Sequence, residues 1–262
     1  MKTLGNLVDH MEKLNEHRSS AKDLHSRLSS LSHFLAPSYN LKSISREILR
    51  QYVVSLRSYG NSPATINAKL CAVKAALKES LQMGWIDKVP EVKLEKIREK
   101  VKAVLSDDEV DQMLRVASEF QHAFVVFYLK SGCRANELIE AVNTNGTPTS
   151  KLQLMQTKNG HVRTINIDQD CMTALVKLKT LNNIKSLTYK EIYGAWKVLM
   201  VRMGWEDKGY TLHTLRHTVI TKLARAGIPV HDIQRFIGHK SIETTLKYIH
   251  TEVNHTTIMS IL

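Results

Sequence analysis

Cysteine is scarce in this 262-residue chain, which contains Cys71, Cys133 and Cys171 and no others. An odd number of widely separated cysteines cannot form a fully paired disulfide framework and suits reduced thiols in a cytosol. The chain also lacks a run of about 20 apolar residues, the length that a membrane-spanning helix needs. Residues 1–13 carry charges where a secretory signal has an apolar stretch. These absences predict a cytoplasmic protein that does not enter a membrane.

Acidic residues are fewer than basic ones. The chain has 25 Asp and Glu against 37 Lys and Arg, a formal net charge of +12. Residues 1–100 hold 17 basic and 10 acidic residues and the remainder holds 20 and 15, so the excess is shared along the chain. Such a balance favours a polyanionic partner, most simply nucleic acid. A basic surface that only keeps the protein soluble is the alternative.

Residues 1–90 show helical periodicity throughout. Ser45 and Ser62 are placed as N-caps of two helices, and Pro63 stands at the first helical position, where proline is tolerated. The first apolar stripes, at helical spacing, consist of Leu4, Leu7, Met11 and Leu14, then Leu24, Leu28, Leu31 and Leu35; the stripe after Pro63 consists of Ile66, Leu70, Val73, Leu77 and Leu81.

Two features of this region bear on its partners. Lys69, Lys74 and Lys78 follow Pro63 and are available to DNA phosphates, although a charge run of this kind is more often a solvated face. Residues 91–102 are densely charged, with few residues that could anchor in a core. They predict a linker, partly helical, that lets two lobes close around a duplex.

The second half begins with a capped helix and contains the one clear strand pattern. Ser106 is followed by acidic residues, as at a helix N-terminus. Residues 122–130 are nearly all apolar and predict a buried helix that ends at Gly132. Residues 151–154 and 163–167 alternate around an Asn-Gly turn, which predicts a β-hairpin. The expected fold is therefore mainly α with a small antiparallel sheet.

Arg216 occupies an anomalous position. On a helix spanning Leu212 to Ala226, it falls inside the apolar arc rather than on the solvent side. A buried guanidinium without a partner is very costly, so we expect an anionic group to meet it. That group is either an internal carboxylate such as Glu137, in a structural ion pair, or a phosphate held in a bidentate clamp.

Two short motifs and a tyrosine follow one another near the end of the chain: His213-x-x-Arg216-His217, Gly238-His239 and Tyr248. This ordered set resembles the C-terminal signature of the tyrosine recombinase, or phage integrase, family. The segment SGCRANELIEA resembles the family's first arginine box, with Arg134 as a phosphate clamp and Glu137 as its support. Lys158, on the hairpin turn, is similar to a lysine that enters the active site in the family.

The resemblance extends to the N-terminal half and implies a domain organisation. The start at Ser62-x-x-Thr65-Ile66-Asn67 and the end at Gly84-Trp85-Ile86 are similar to the family's helical core-binding domain. We expect a core-binding, DNA-binding domain over residues 1–92, a linker over 93–103, and an α+β catalytic domain with a C-terminal tail over 104–262.

The resemblance also implies a chemistry. Tyr248 would attack phosphorus and form a 3′-phosphotyrosyl link, with a free 5′-hydroxyl as the other product. Arg134 and Arg216 would stabilise the charge on the phosphate, and Lys158 would protonate the leaving oxygen. His213 would assist Tyr248 by proton transfer. The remaining roles are a hydrogen bond from His239 to the phosphate and structural support from His217.

The implied partners are double-stranded DNA recombination sites, a homotetramer in the synaptic complex and DNA-bending accessory proteins. Neither a metal nor a nucleotide cofactor is implied. The family's mobile genetic elements point to a bacterial, phage or plasmid source and to the nucleoid. The apolar end of the tail, residues 258–262, would fold back on its own domain or dock on a neighbouring protomer in a ring of four.

Three other interpretations of the sequence compete with that of a tyrosine recombinase. His213 and His217 have the i, i+4 spacing of a zinc site, but Thr214 stands where such sites have glutamate. A helix–turn–helix module over residues 223–249 would suffice for a DNA-binding protein without catalysis. A type IB topoisomerase would use similar residues to relax supercoils, although the small helical N-terminal region favours a recombinase.

Overall fold

The computed structural model describes residues 1–17, 21–97, 102–156, 161–181 and 186–249. The chain forms two compact units, an N-terminal unit of residues 1–100 and a C-terminal unit of residues 101–262. Helices dominate both, and the C-terminal unit adds one two-stranded antiparallel sheet, which confirms the expected fold class. Lys158 and the tail beyond residue 250 lie outside the described residues, as do the predictions made for them.

The N-terminal unit is built from helices α1 (Leu4–Asn15), α2 (Ala21–Leu35), α3 (Arg46–Ser58) and α4 (Pro63–Gln82). Ser45 and Ser62 cap α3 and α4 as predicted, since their side chains accept from the backbone N–H three residues later. The core contains the predicted leucines with two exceptions. Leu14 is 54% exposed and Leu81 41% exposed. At the end of α1, Asn15 takes the buried position instead, because its amide donates to the Met11 carbonyl at 2.8 Å.

The predicted linker is better anchored than its composition suggested. Residues 90–97 form no helix. Asn67 accepts from the Glu95 N–H at 2.7 Å and donates to the Glu95 carbonyl at 2.9 Å, as a neighbouring strand would. Arg57 pairs with the Glu95 carboxylate at 2.6 Å, and Val92 packs against the core. The prediction of a partly helical segment with few anchors is therefore wrong for residues 91–97.

The C-terminal unit surrounds one apolar helix. Phe124, Phe127 and Tyr128 of that helix are fully buried at the centre of the core. The helices are α5 (Asp107–Val116), α6 (Glu119–Ser131), α7 (Ala135–Asn143), α8 (Gln169–Leu181), α9 (Tyr189–Met203), α10 (Leu212–Arg225), α11 (Val230–Ile237) and α12 (Ile242–Ile249), and α6 is the central one. Within the ranges given above, no helix combines the length and apolar content needed to cross a bilayer.

The hairpin consists of β1 (Lys151–Gln156) and β2 (His161–Asn166), paired from Lys151 opposite Asn166 to Gln156 opposite His161. Leu154 and Ile165 are buried, so one face of the hairpin packs on the core. A second, smaller apolar cluster joins α10, α11 and α12 and includes Ile220, Ile233 and Tyr248. The two clusters bring the ends of α6 and α11 next to α10, where the candidate site lies.

Candidate active site

Arg216 is 4% exposed, on the buried face of α10 as the sequence indicated. Its Nη1 donates to the Gly132 carbonyl at 2.6 Å and its Nη2 to the Ile237 carbonyl at 2.8 Å. These carbonyls belong to the ends of α6 and α11, where helix carbonyls have no intrahelical donor and carry partial negative charge. The interpretation of Arg216 as a direct ion pair with Glu137 is therefore wrong. Backbone oxygens hold the guanidinium instead.

Glu137, in the first turn of α7, is the carboxylate of the site and is buried. Its Oε1 accepts from Arg134 Nη1 at 2.8 Å. Its Oε2 accepts from the Arg134 backbone N–H and from Arg163 Nη2, both at 2.8 Å. Burial alone would raise the pKa of Glu137, but the Arg163 charge and the hydrogen bonds from both arginines outweigh it and hold this pKa below its usual value. Glu137 is therefore ionised near neutral pH.

The carboxyl end of α11 collects three arginines. Its successive carbonyls, those of Phe236, Ile237 and Gly238, accept from Arg163 Nη1, Arg216 Nη2 and Arg134 Nη2 respectively. The last contact is 3.0 Å long. Gly238 ends the helix in the left-handed conformation at φ +70°, which directs the chain into His239. One helix end thus fixes the relative positions of three guanidiniums.

Sequence reasoning missed Arg163, although a signal was present. Arg163 alternates with Ile165 and Ile167, both buried, so it stands on the inward face of β2. A charged residue in an apolar strand face is the same anomaly that marked Arg216 on its helix. Its side chain is only 9% exposed, and Nε is buried with no hydrogen-bond partner among the described residues.

The cluster carries excess positive charge. Arg134, Arg163 and Arg216 contribute three charges and Glu137 removes one, which leaves two. The neighbouring histidines respond to this field. Burial, followed by the charges of Arg216 and Arg134, lowers the pKa of His239 to about 3. His213 lies at the surface, yet partial desolvation and the same two arginines lower its pKa as well.

Tyr248 of α12 is 4% exposed, and its hydroxyl lies 2.5 Å from Nδ1 of His217. Its ring stacks with His239 at a centroid distance of 6.3 Å, and Lys102 places its ammonium 3.9 Å from the ring centroid. Burial raises the pKa of Tyr248 to about 12, against an opposing effect of Arg216. The phenol is therefore neutral and is held by groups from α10, from the turn after α11 and from the segment before α5.

The structure thus places most of the predicted site residues around one point. The residues that come together in the C-terminal unit are Arg134, His213, Arg216, His239 and Tyr248, with Glu137 and His217. Lys69, Lys74 and Lys78 belong to the N-terminal unit. The rings of His213 and His217 are 6.4 Å apart between centroids. In the described part of the chain, no three His, Cys, Asp or Glu side chains are arranged to hold a metal ion.

Known proteins share this fold. The chain is 28% identical over 192 residues to the tyrosine recombinase XerA of Saccharolobus solfataricus, a match that covers 71% of this chain and 63% of the relative. A structure of the Tn1549 transposon integrase (residues 82–397) in complex with circular intermediate DNA superposes with a TM-score of 0.75 at 21% identity, and the match covers 100% of both chains. A structure of a lambda integrase tetramer bound to a Holliday junction superposes with a TM-score of 0.72 at 17% identity, and the match covers 94% of this chain and 77% of that one.

Family models account for both units. The chain spans 59–63% of the length of the first curated relatives that it matches. Residues 4–96 match the phage integrase SAM-like domain, and residues 103–255, more than half of the chain, match the phage integrase family. The chain therefore belongs to the phage integrase family.

Proposed function

We propose that this protein is a site-specific DNA recombinase that cuts and rejoins strands through a 3′-phosphotyrosyl intermediate. The observation that carries the proposal is the excess of guanidinium charge beside a buried, neutral tyrosine. A phosphodiester gains one further negative charge as it is attacked, and fixed cations stabilise that charge without reorganising. A helix–turn–helix module without catalysis leaves this arrangement unexplained.

In this proposal Arg134 and Arg216 bind the non-bridging phosphate oxygens. A guanidinium has five N–H donors, and the contacts to Gly132, Ile237 and Gly238 use only some of them. The Arg134 side chain is 38% exposed, so DNA can reach it. Arg216 lies deeper and fixes the phosphate from within, because its backbone partners allow little movement.

His239 is suited to donate to the phosphate. Its Nδ1 lies 2.9 Å from the Thr245 hydroxyl, which is buried. If the hydroxyl donates to Nδ1, the neutral imidazole carries its proton on Nε2 and presents that N–H to a phosphate oxygen. His213 contributes a second hydrogen bond from the exposed side. We assign protonation of the 5′ oxygen to Lys158, which completes strand cleavage.

Tyr248 attacks phosphorus in this mechanism and retains the phosphoester energy in its covalent link to the 3′ end. The free 5′-hydroxyl of another strand can then attack the phosphotyrosine and rejoin the DNA. The arginines, Lys158 and the histidines supply charge and proton transfer, so the proposed reaction uses neither a metal nor a nucleotide cofactor.

The partners are proposals too. Residues 1–92 would bind DNA as a core-binding domain, with Lys74 and Lys78 exposed on α4 and Lys69 half-buried. Residues 93–103 would link this domain to the catalytic domain, residues 104–262. The lambda integrase tetramer on a Holliday junction supports a homotetramer during strand exchange. DNA-bending proteins would assist assembly at the recombination site, in the cytoplasm of a bacterial host.

A nicked suicide substrate tests the proposal, since loss of a short 5′ fragment prevents rejoining and traps the covalent complex. The wild-type protein should form an adduct that survives denaturing electrophoresis, and Tyr248→Phe should bind DNA without forming it. Tyr193→Phe, at an exposed tyrosine on α9, is the matched control and should trap DNA at the wild-type rate. An adduct with Tyr248→Phe, or none with the wild type, contradicts the proposal.

A further inference from the structure

We propose that His217, rather than His213, accepts the proton of Tyr248 when the phenol attacks phosphorus. This inference rests on the proposed function. Its basis is the 2.5 Å contact between the Tyr248 hydroxyl and Nδ1 of His217, within the range for a proton to pass directly between the two atoms. The ring of His213 lies one helical turn earlier, 6.4 Å from that of His217 between centroids.

The packing of two helices fixes this contact. Tyr248 is buried in the apolar cluster that joins α10, α11 and α12, together with Ile220 and Ile233. His217 is half-buried on α10, and its ring centroid is 5.5 Å from that of the tyrosine. For the phenol to donate, Nδ1 must be unprotonated, so the neutral imidazole carries its proton on Nε2. The hydroxyl hydrogen then points at the nitrogen that is to receive it.

Burial and the surrounding charges keep Nδ1 of His217 unprotonated. Lys102 and His239 face the His217–Tyr248 pair from neighbouring segments, and His213 and Arg216 lie close to it on α10 itself. Burial, then Lys102, lowers the pKa of His217 to about 4, so the imidazole is neutral near pH 7. A bound phosphodiester brings negative charge, which raises this pKa again. The phenol oxygen also becomes more acidic as it bonds to phosphorus. Proton transfer therefore becomes favourable only as the new bond forms.

The step balances in both directions. During cleavage the bond between the Tyr248 oxygen and its hydrogen breaks, the proton moves to Nδ1 of His217, and the oxygen forms a bond to phosphorus. The bond from phosphorus to the 5′ oxygen breaks, and that oxygen takes a proton from Lys158 in the proposed mechanism. During rejoining, the attacking 5′-hydroxyl returns its proton to Lys158 as its oxygen bonds to phosphorus. The bond from phosphorus to the tyrosine oxygen breaks, and the His217 imidazolium returns its proton to that oxygen. One histidine thus serves as base and then as acid.

Two variants of His217 distinguish a role in proton transfer from a purely structural role. His217→Ala removes the base and leaves space for a small molecule, whereas His217→Asn keeps a polar side chain in the site but cannot accept a proton at neutral pH. His231→Ala, at an exposed histidine on α11, is the matched control. The measurement is single-turnover adduct formation on the suicide substrate from pH 5.5 to 9, with DNA affinity measured in parallel.

We expect both His217 variants to bind DNA like the wild type and to form the adduct about 10²–10⁴-fold more slowly at pH 7. The His217→Ala rate should rise with pH as hydroxide replaces the base, and added imidazole should restore part of it. Neither added imidazole nor a rise from pH 7 to 9 should speed adduct formation by the wild type or His231→Ala. Wild-type adduct rates in His217→Asn, or a slow His217→Ala that neither imidazole nor pH improves, would overturn the inference. If the wild type itself forms no adduct, the proposed function fails first.

Discussion

Gly132 lies between the end of α6 and the end of α11, next to the candidate site. Its replacement by alanine tests how rigidly the end of α11 is held. It ends α6 in the left-handed conformation at φ +57°, and its carbonyl accepts from Arg216. A Cβ there would lie 2.5 Å from Cδ1 of Ile237 and 3.4 Å from Cγ1 of Val219. Ile237 is fully buried, so its side chain has little room to turn away. A shift that reaches the Ile237 backbone would also displace the second carbonyl that holds Arg216.

Gly204 provides a matched control. It ends α9 at φ +64°, and a Cβ there meets nothing within 4 Å. In both variants the alanine must adopt the left-handed conformation, which costs about 1–2 kcal/mol. Only Gly132→Ala adds the cost of overpacking, about 1–3 kcal/mol. Because the clashing atom is the end of a side chain, we expect the lower part of that range. Gly132→Ala should therefore lose about 1–2 kcal/mol more unfolding free energy than Gly204→Ala.

Urea unfolding followed by tryptophan fluorescence can measure this difference. The chain has three tryptophans, and a Trp85→Phe background leaves Trp196 and Trp205, both in the C-terminal unit. Adduct formation should also fall further in Gly132→Ala than in Gly204→Ala, because the carbonyl of Gly132, unlike that of Gly204, accepts from Arg216. Equal losses of stability in the two variants would show that Ile237 yields freely. The end of α11 would then not hold the arginines rigidly.

Four further results are expected. Arg163→Met should lower the unfolding free energy by about 3 kcal/mol, because buried Glu137 loses one partner but keeps Arg134, and Arg163→Lys should restore part of it in urea unfolding. The pKa of Glu137 is lower in the folded state than its ordinary value of 4.5, so its ionised form stabilises the fold above that pH, and this stabilisation is lost as the pH falls towards the folded pKa. Glu137→Gln should therefore have a lower unfolding free energy than the wild type at pH 7, and its unfolding free energy should decrease less than that of the wild type as the pH falls below 4.5. An Asp111→Asn control should show neither difference. Lys158→Ala should cleave an ordinary phosphodiester slowly and a 5′-bridging phosphorothiolate far faster, and equal impairment on both would remove Lys158 from the mechanism. Strand cleavage should persist in excess chelator, whereas loss of activity that zinc or magnesium restores would contradict the proposed mechanism.

The sequence predicted where Arg216 lies but not what holds it. Helical periodicity alone placed the guanidinium in the apolar arc of α10, and the structure confirms that burial. Its partners are main-chain oxygens of Gly132 and Ile237, which are distant in sequence and leave no side-chain pattern. The partner expected from the side chains alone was therefore the Glu137 carboxylate. Backbone acceptors at helix ends become visible only after the helices have packed.

In the N-terminal unit, the sequence predicted the local contacts but not how the tertiary packing covers the helices. Caps at Ser45 and Ser62 depend on local chemistry, and both were predicted correctly. Leu14 and Leu81 lie near helix ends on the edges of their stripes, where they remain exposed. Periodicity shows which residues share a face of a helix, but tertiary packing decides how much of that face is covered. The contact between Glu95 and Asn67 likewise depends on residues whose composition indicated only a solvated linker.

Carbonyls and carboxylates are not equivalent partners for the buried arginines, and the difference explains the electrostatics of the site. A carboxylate for each guanidinium would cancel its charge, whereas a carbonyl satisfies its N–H groups and leaves the charge in place. Among the described residues, Arg216 has carbonyl partners alone, while Arg134 and Arg163 share Glu137. Burial lowers the pKa of His217 and of His239, and the remaining positive charge lowers both further. The arrangement that attracts a phosphodiester thus keeps its histidines neutral, and His217 ready to accept the tyrosine proton, until the phosphate's negative charge arrives.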